Sequence, residues 1–380
     1  MRLLLFSDSP GFPVSYANVV RHFAHAISER GVEVAFASVQ HTGSMMLFEH
    51  RGRTYRHYAG NPPYRTTEAV RDFDPDLMLH VRDPIVHIPR MYPTGNYSVK
   101  AIMVNGSPVW GWIPCQHEDP PWDYIDALLR EYSVVLPFTA AGAETFANVG
   151  MVRDRLDPLP LGVSDSYSDP EGPVATGYGH EGVPVVMSVG MGHQDRKAFP
   201  VIMRAYREAR AVRPELTIDW YLHTLRVAAF DLEEHARMMG VDGHFLFPHL
   251  FDPLVAYPEE DLARRYRKAV AYVSVGTGEG FDMPLSEAAS LGRVLIYPDE
   301  PNRREVVADY EGPKLSVRTF PIPRAANWER LIDPSDLAQQ VLKLRDLSPD
   351  PAAGRKYFAA HSWDRTAERF LDICKRRGIA

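Results

Sequence analysis

Twice along this chain a short apolar run leads into a glycine-bearing loop, a helical pattern and a second apolar run, once at the start and once near the middle. A strand can pair with a parallel neighbour only by returning over one face of the sheet, and the usual return is a helix. In the first half, Arg2 to Phe6 reads as the strand and SDSPGFPVS as the loop. Tyr16 to Arg30 follows as a helix stopped by Gly31, and VEVAFASV as the next strand. In the second half, VPVVMSVG (183–190) is the strand and MGHQDRKA the loop. A helix from Phe199 to Val212 and the strand LTIDWYL come next. The alternation then continues with helices at Asp231 to Met239 and Glu259 to Lys268, the strands HFLF, AVAYVSV and RVLIY, and the helix PLSEAASL closed by Gly292.

At 380 residues the chain exceeds what one hydrophobic core usually serves, so each βαβ opening is expected to found its own Rossmann-like, doubly wound α/β domain. Residues 157–182 are rich in Pro, Gly, Ser and Asp and poor in large apolar side chains, which marks the boundary there. The domains are expected at 1–165 and 175–355. The net charge of −7 gives no global basic surface for nucleic acid or anionic membrane. Cys115 and Cys374 lack zinc or disulfide spacing, and the apolar MRLLLF ends too soon for a leader or a membrane span. A cytoplasmic protein with no transmembrane segment is the expectation.

The segment GEGFDMPLSEAASLGRVLIY carries the most chemistry. Gly278 and Gly280 let the backbone approach a ligand, and Pro284 suits a first helical turn, whose N–H groups can meet anionic oxygens. Glu287, placed in that turn, can accept two hydrogen bonds from a vicinal diol such as a ribose, while Glu279 on the loop can engage sugar hydroxyls. A bland alternative is a favourable acid at a helix start beside a solvated loop charge. In GHQDRKAF, Arg196 and Lys197 follow the first strand of the second half, and such a pair suits phosphate oxygens.

The stretch from Glu279 through Gly280, Phe281, Asp282, Met283 and Pro284 to Glu287 resembles the E-x7-E motif of family 4 glycosyltransferases and their GT-B relatives. These commonly carry glycine where Asp282 stands; the aspartate either alters sugar choice or points to solvent. The resemblance implies two Rossmann-like domains facing across a cleft. It implies that Gly280, Phe281, Asp282, Met283, Pro284 and Glu287 bind a nucleotide-sugar donor, and that Arg196, Lys197 and Glu279 serve catalysis. Gly11, in DSPGFPVSYANVV, would bring its backbone to the diphosphate, and the family's acidic residue after the next strand would be Glu305. Where many members carry a sugar-contacting histidine, KAIMVNGSPVW, read as a strand ending in a polar turn, has Asn105. Asn105, Asp83 and Phe12 are therefore the candidate sugar or acceptor contacts, with His80, His87 and His117 held as packed or surface histidines. LPLGVSDSY and HSWDRTAERFLDI continue the likeness, and Trp363 marks a terminal helix, 360–380, that crosses back onto the first domain.

The implied reaction is retaining transfer of a sugar from a UDP- or GDP-linked donor to an acceptor hydroxyl, with the donor as co-substrate, no cofactor and no metal. Glycans, lipid-linked molecules, small molecules and modified nucleic acids are all open as acceptors. A nucleotide-sugar epimerase of the same fold and a catalytically silent nucleotide-binding subunit are the alternatives. Asp74-Pro75-Asp76 has the spacing of a DxD metal site but precedes the apolar run LMLHV, an ordinary strand entry. EHRGRTYRHY (49–58) reads as a hairpin with solvated arginines, or alternatively as a seat for an anionic acceptor.

Overall fold

The structure is a computed structural model, and it describes residues 1–380 apart from 13, 62–64, 84–97, 117–119, 191–194, 228–230, 249–256, 324–327 and 380. The described residues divide into two compact units, one of residues 1–162 with 362–379, the other of 163–248 with 257–361.

The first unit begins with β1 (Arg2–Ser7), α1 (Ser15–Ser28) and β2 (Glu33–Ser38), followed by β3 (Met46–His50) and β4 (Arg53–Ala59). Next come α2 (Thr66–Phe73), β5 (Leu77–Val81), α3 (Val99–Ile102), β6 (Val109–Ile113), α4 (Trp122–Glu131), β7 (Val134–Pro137) and α5 (Ala140–Asn148). Gly31, at φ +81°, follows the end of α1 as its sequence position predicts. The sheet order is β3-β4-β2-β1-β5-β6-β7, parallel except for β3. The antiparallel β3–β4 hairpin lies where EHRGRTYRHY predicts one, and Arg51 and Gly52 turn it with φ of 49° and 75°. Arg53 and Arg56 spend their charge locally, Arg53 against Glu29 at 2.6 Å and Arg56 against Asp72 at 3.4 Å.

The expected strand at KAIMV is instead the one-turn helix α3. An apolar run of this length fits either state, and here Ser98 decides it by accepting from the Ala101 N–H at 3.1 Å. Val99, Ile102 and Met103 join the core with Phe73 of α2.

The second unit runs β8 (Val185–Val189), α6 (Phe199–Val212), β9 (Asp219–His223), α7 (Leu232–Met238), β10 (Phe245–Leu246), α8 (Glu259–Lys268) and β11 (Ala271–Val273). It continues with α9 (Met283–Ser290), β12 (Val294–Pro298), α10 (Pro301–Val306) and β13 (Lys314–Val317). The hairpin β14 (Thr319–Pro323) and β15 (Trp328–Ile332) leads to α11 (Pro334–Lys343) and α12 (Pro351–His361). The parallel sheet has the order β10-β9-β8-β11-β12-β13. Its core gathers Trp220, Leu222, Val273 and Ile296 from the strands with Ile202 and Tyr206 of α6 and Leu337 of α11. Both units are therefore Rossmann-like α/β domains, as the paired βαβ openings predict.

The chain ends in α13 (Trp363–Arg376), which belongs to the first unit. Its apolar face brings Phe370 against Phe23 at 5.2 Å between ring centroids and against Trp110 at 6.0 Å. Arg30, just past the end of α1, holds the outer face through Asp364 at 2.8 Å and Glu368 at 3.1 Å.

Candidate active site

In the second sheet the strand order reverses between β8 and β11, since β9 and β10 lie to one side and β12 and β13 to the other. Loops leaving the C-terminal ends of two such strands diverge, and open α/β sheets bind ligands in the crevice that results. Ser188 stitches the pair by donating to the Val273 carbonyl at 2.6 Å. Past the end of β8 the chain reaches Arg196 and Lys197 in a single 3-10 turn, and past β11 it runs through Ser274 to Asp282 before entering α9.

The two loops meet on Glu279. Arg196 donates through Nη1 to the Glu279 carboxylate and to the Gly278 carbonyl, both at 3.0 Å, while Lys197 makes a close ion pair with the same carboxylate oxygen. Thr277 N–H donates to the Arg196 carbonyl at 2.8 Å, so backbone and side chains tie the loops together. Asn302 donates to the Glu279 carbonyl at 3.0 Å. Burial acts to raise the pKa of Glu279, but the fields of Lys197, Arg196 and Arg303 outweigh it and hold the group well below the usual carboxylate range. Glu279 is thus an anion that collects two cations at the sheet's switch point.

Glu287 behaves in the opposite way. Because α9 begins at Met283, Glu287 opens the second turn, not the first as its sequence context suggests. Its partly buried carboxyl accepts from the Tyr266 hydroxyl at 3.2 Å. Burial, reinforced by the nearby charges of Glu259 and Asp282 and opposed by the tyrosine hydroxyls of Tyr266 and Tyr167, pushes its pKa up to about 8. Tyr266 also donates to the Pro284 carbonyl at 3.3 Å, holding the start of the helix beside the carboxyl.

The acid at the N-terminus of α9 is Asp282, which caps it by accepting from Leu285 N–H at 3.3 Å. Its φ of 72° is left-handed, a conformation that aspartate tolerates better than most residues and that explains why glycine is the resembling motif's choice here. The expectation that Asp282 points to solvent is overturned. Its carboxylate is buried, accepts from Ser274 Oγ, and pairs with Arg303 Nε at 2.8 Å. Phe281 is also buried, and Met283 and Pro284 form the partly buried first turn.

Arg303 and Glu300 escaped the sequence reading, which singled out Glu305 in the same segment. Arg303, on α10, is fully buried and donates to Gly276 O at 2.7 Å and Ser274 Oγ at 3.2 Å as well as to Asp282 and Glu300. The only trace in the sequence is the three-residue spacing of Glu300 and Arg303 around Pro301, which any solvated ion pair on a helix also shows.

In the first unit the reversal falls between β1 and β5. Gly11 and Phe12 follow the C-terminal end of β1, with Phe12 N–H donating to Ser9 O at 2.9 Å and the ring of Phe12 exposed. Asp83, partly buried, follows the C-terminal end of β5. Beside them, Arg82 lies 3.5 Å from Asp8, whose carboxylate accepts from Gln40 at 2.5 Å. Asn105 is at the other end of the sheet. Its amide donates to Asp74 at 3.2 Å and to Pro75 O at 3.0 Å, just before β5 begins, which removes it from the candidate sugar contacts. Asp74 and Asp76 bind Arg2 there, through its side chain and its backbone N–H respectively. His80 is a packed core residue at 2.6 Å from the Tyr132 hydroxyl, whereas His87 and His117 lie outside the described residues.

Among the described residues no group of three or more His, Cys, Asp or Glu is placed to hold a metal ion, and no helix is long and apolar enough to cross a membrane.

No family model and no curated protein matches the chain. Solved structures match it from end to end. One, of trehalose-6-phosphate from E. coli bound with UDP-2-fluoro glucose, is 11% identical with a TM-score of 0.69 and 99% of each chain covered. A sucrose-phosphate synthase from Thermosynechococcus elongatus is 12% identical, with a TM-score of 0.68 over 100% of this chain and 99% of that one. A putative UDP-N-acetylglucosamine 2-epimerase from Listeria monocytogenes is 12% identical, with a TM-score of 0.56 over 100% and 97%. At such identities the likeness establishes the fold, which is GT-B.

Proposed function

We propose that this chain is a retaining glycosyltransferase that moves a sugar from a UDP- or GDP-linked donor to an acceptor hydroxyl. The observation that carries the reading is the meeting of Arg196, Lys197 and Glu279 at the switch point of the second sheet. A diphosphate needs fixed cations, and here an anion holds both cations in place before any ligand arrives, so less ordering remains to be done on binding. The shared fold with the E. coli structure bound to UDP-2-fluoro glucose supports the donor class.

In this account the diphosphate lies against Arg196 and Lys197, the ribose diol against Glu287, and the donor sugar against Glu279 and the backbone of Gly280 to Met283. As the bond from the anomeric carbon to the diphosphate oxygen breaks, negative charge grows on the leaving oxygen, where the two cations stabilise it. The acceptor oxygen bonds to the anomeric carbon on the face the leaving group departs, and its proton passes to the leaving phosphate. Position and charge carry the catalysis, with no protein nucleophile. Epimerisation of the donor sugar is the second reading, favoured by the shared fold with the Listeria protein.

Incubation with UDP-glucose, UDP-galactose, UDP-N-acetylglucosamine and GDP-mannose, followed for free nucleotide and for sugar stereochemistry, separates these. The transferase reading expects slow nucleotide release from at least one donor, reduced at least tenfold in Lys197→Ala. Isomerised donor with no net release of nucleotide indicates the epimerase, and tight binding with neither product indicates a silent subunit.

A further inference from the structure

We propose that Arg303 is a positioning residue of the donor site, keeping Glu279 anionic and in place once a diphosphate has drawn Arg196 and Lys197 to itself. The proposal rests on the donor reading above. Glu279 is neutralised by the two cations that touch it. An arriving diphosphate brings at least two negative charges and competes for both. A buried carboxylate next to those charges would take up a proton, or turn away, unless some cation that the phosphates cannot reach stayed beside it.

Arg303 meets that requirement. Its side chain is 0% exposed, so no phosphate can reach it. It is also locked, with Nε on Asp282 and Ser274, Nη1 on Glu300 and Nη2 on Gly276 O, so it cannot swing out to a ligand. Gly276 is the spacer between it and Glu279. A Cβ there would stand 3.1 Å from Arg303 Nη2 and would collide with the Glu279 carboxylate, so the guanidinium and the carboxylate flank a position that only glycine leaves open. Across so short a gap, away from water, the attraction is strong without direct contact.

The titratable groups around Glu279 are Arg196 and Lys197 from the loop after β8, and Arg303 and Glu300 from α10 and its start. Asp282, from the same loop as Glu279, and the buried Tyr272 of β11 are the others among the described residues. Arg303 is already a third cation lowering the pKa of Glu279, and Glu300 is the carboxylate that most directly competes for its charge.

The test is the pH profile of donor affinity, measured by calorimetry with UDP-glucose and GDP-mannose from pH 4 to 8. The titration of Glu287 gives parent and variants the same slope, so the readout is the difference between their profiles. In the parent, Glu279 is held well below the usual carboxylate range and adds no fall-off of its own in this window. In Arg303→Met a further loss enters at the acid end, at least tenfold relative to the parent near pH 4. Arg303→Lys, which keeps a cation with fewer bonds, shows a smaller loss confined to the acid end and decides alone if Arg303→Met does not fold. Adding Glu279→Gln to Arg303→Met abolishes the acid loss. A merely structural role would weaken binding equally at every pH, and that result, or the parent's profile in both Arg303 variants, overturns the proposal. Failure of the parent to bind either donor overturns the donor reading and this proposal with it.

Discussion

Glu279 and Glu287 share one loop-and-helix segment and one chemistry, yet their surroundings drive them apart. Glu279 gathers cations and stays ionised, whereas Glu287 sits among tyrosines and near Glu259, and holds its proton to about pH 8. Unequal environments of this kind are how paired carboxylates acquire separate roles. The stability consequence of Glu287 has a definite sign. Its proton leaves the unfolded chain near 4.5 and the folded chain near 8, so between those values the folded state binds more protons and stability falls as pH rises. Urea unfolding is expected to show a loss on the order of a few kcal/mol across that window. Glu287→Gln flattens this part of the profile, and an unchanged slope in the variant contradicts the assignment. Glu279 acts with the opposite sign, its contribution being complete above 4.5 and lost as pH drops below it, so Glu279→Gln flattens the acid side. If Glu287 accepts the ribose diol as a carboxylate, nucleotide binding tightens toward pH 8 and expels a proton. Titration in buffers of different ionisation enthalpy reads that proton directly.

At the scale of elements, the C-terminal helix offers the sharpest check. α13 buries Phe370 between Phe23 and Trp110, and Phe370→Ala is expected to cost about 3–5 kcal/mol in the unfolding of the first unit. A loss under about 1 kcal/mol would mean that the helix is not part of that core. The parallel strands and long helices were legible in the chain because burial on both faces leaves unbroken apolar runs and amphipathic helices leave a repeat. Helices α6 and α8 fall at the ends read for them, Phe199 to Val212 and Glu259 to Lys268. The segment around Asn105 was not legible, since four apolar residues carry no period and a single serine cap settled their state. With a helix instead of a strand before it, Asn105 leads into the N-terminal end of β6 and not away from the C-terminal end of a strand, where the site loops gather. Arg303 was hidden for a different reason. An arginine in a short polar helix reads as solvated, and its burial depends on partners up to 29 positions away that only the folded chain assembles.

For the whole molecule, each unit has its own hydrophobic core, and the donor groups proposed here all lie in the second. Nucleotide at about a hundred times its dissociation constant should therefore stabilise the second unit by about 2.7 kcal/mol. The most direct measurement is hydrogen–deuterium exchange with and without saturating UDP or GDP, on the parent and on Lys197→Ala. The account predicts slowed exchange concentrated at Arg196–Lys197 and from Ser274 to Glu287, and lost in Lys197→Ala at the same nucleotide concentration. Nucleotide binding that leaves those segments unprotected, or that protects them equally in Lys197→Ala, would contradict it.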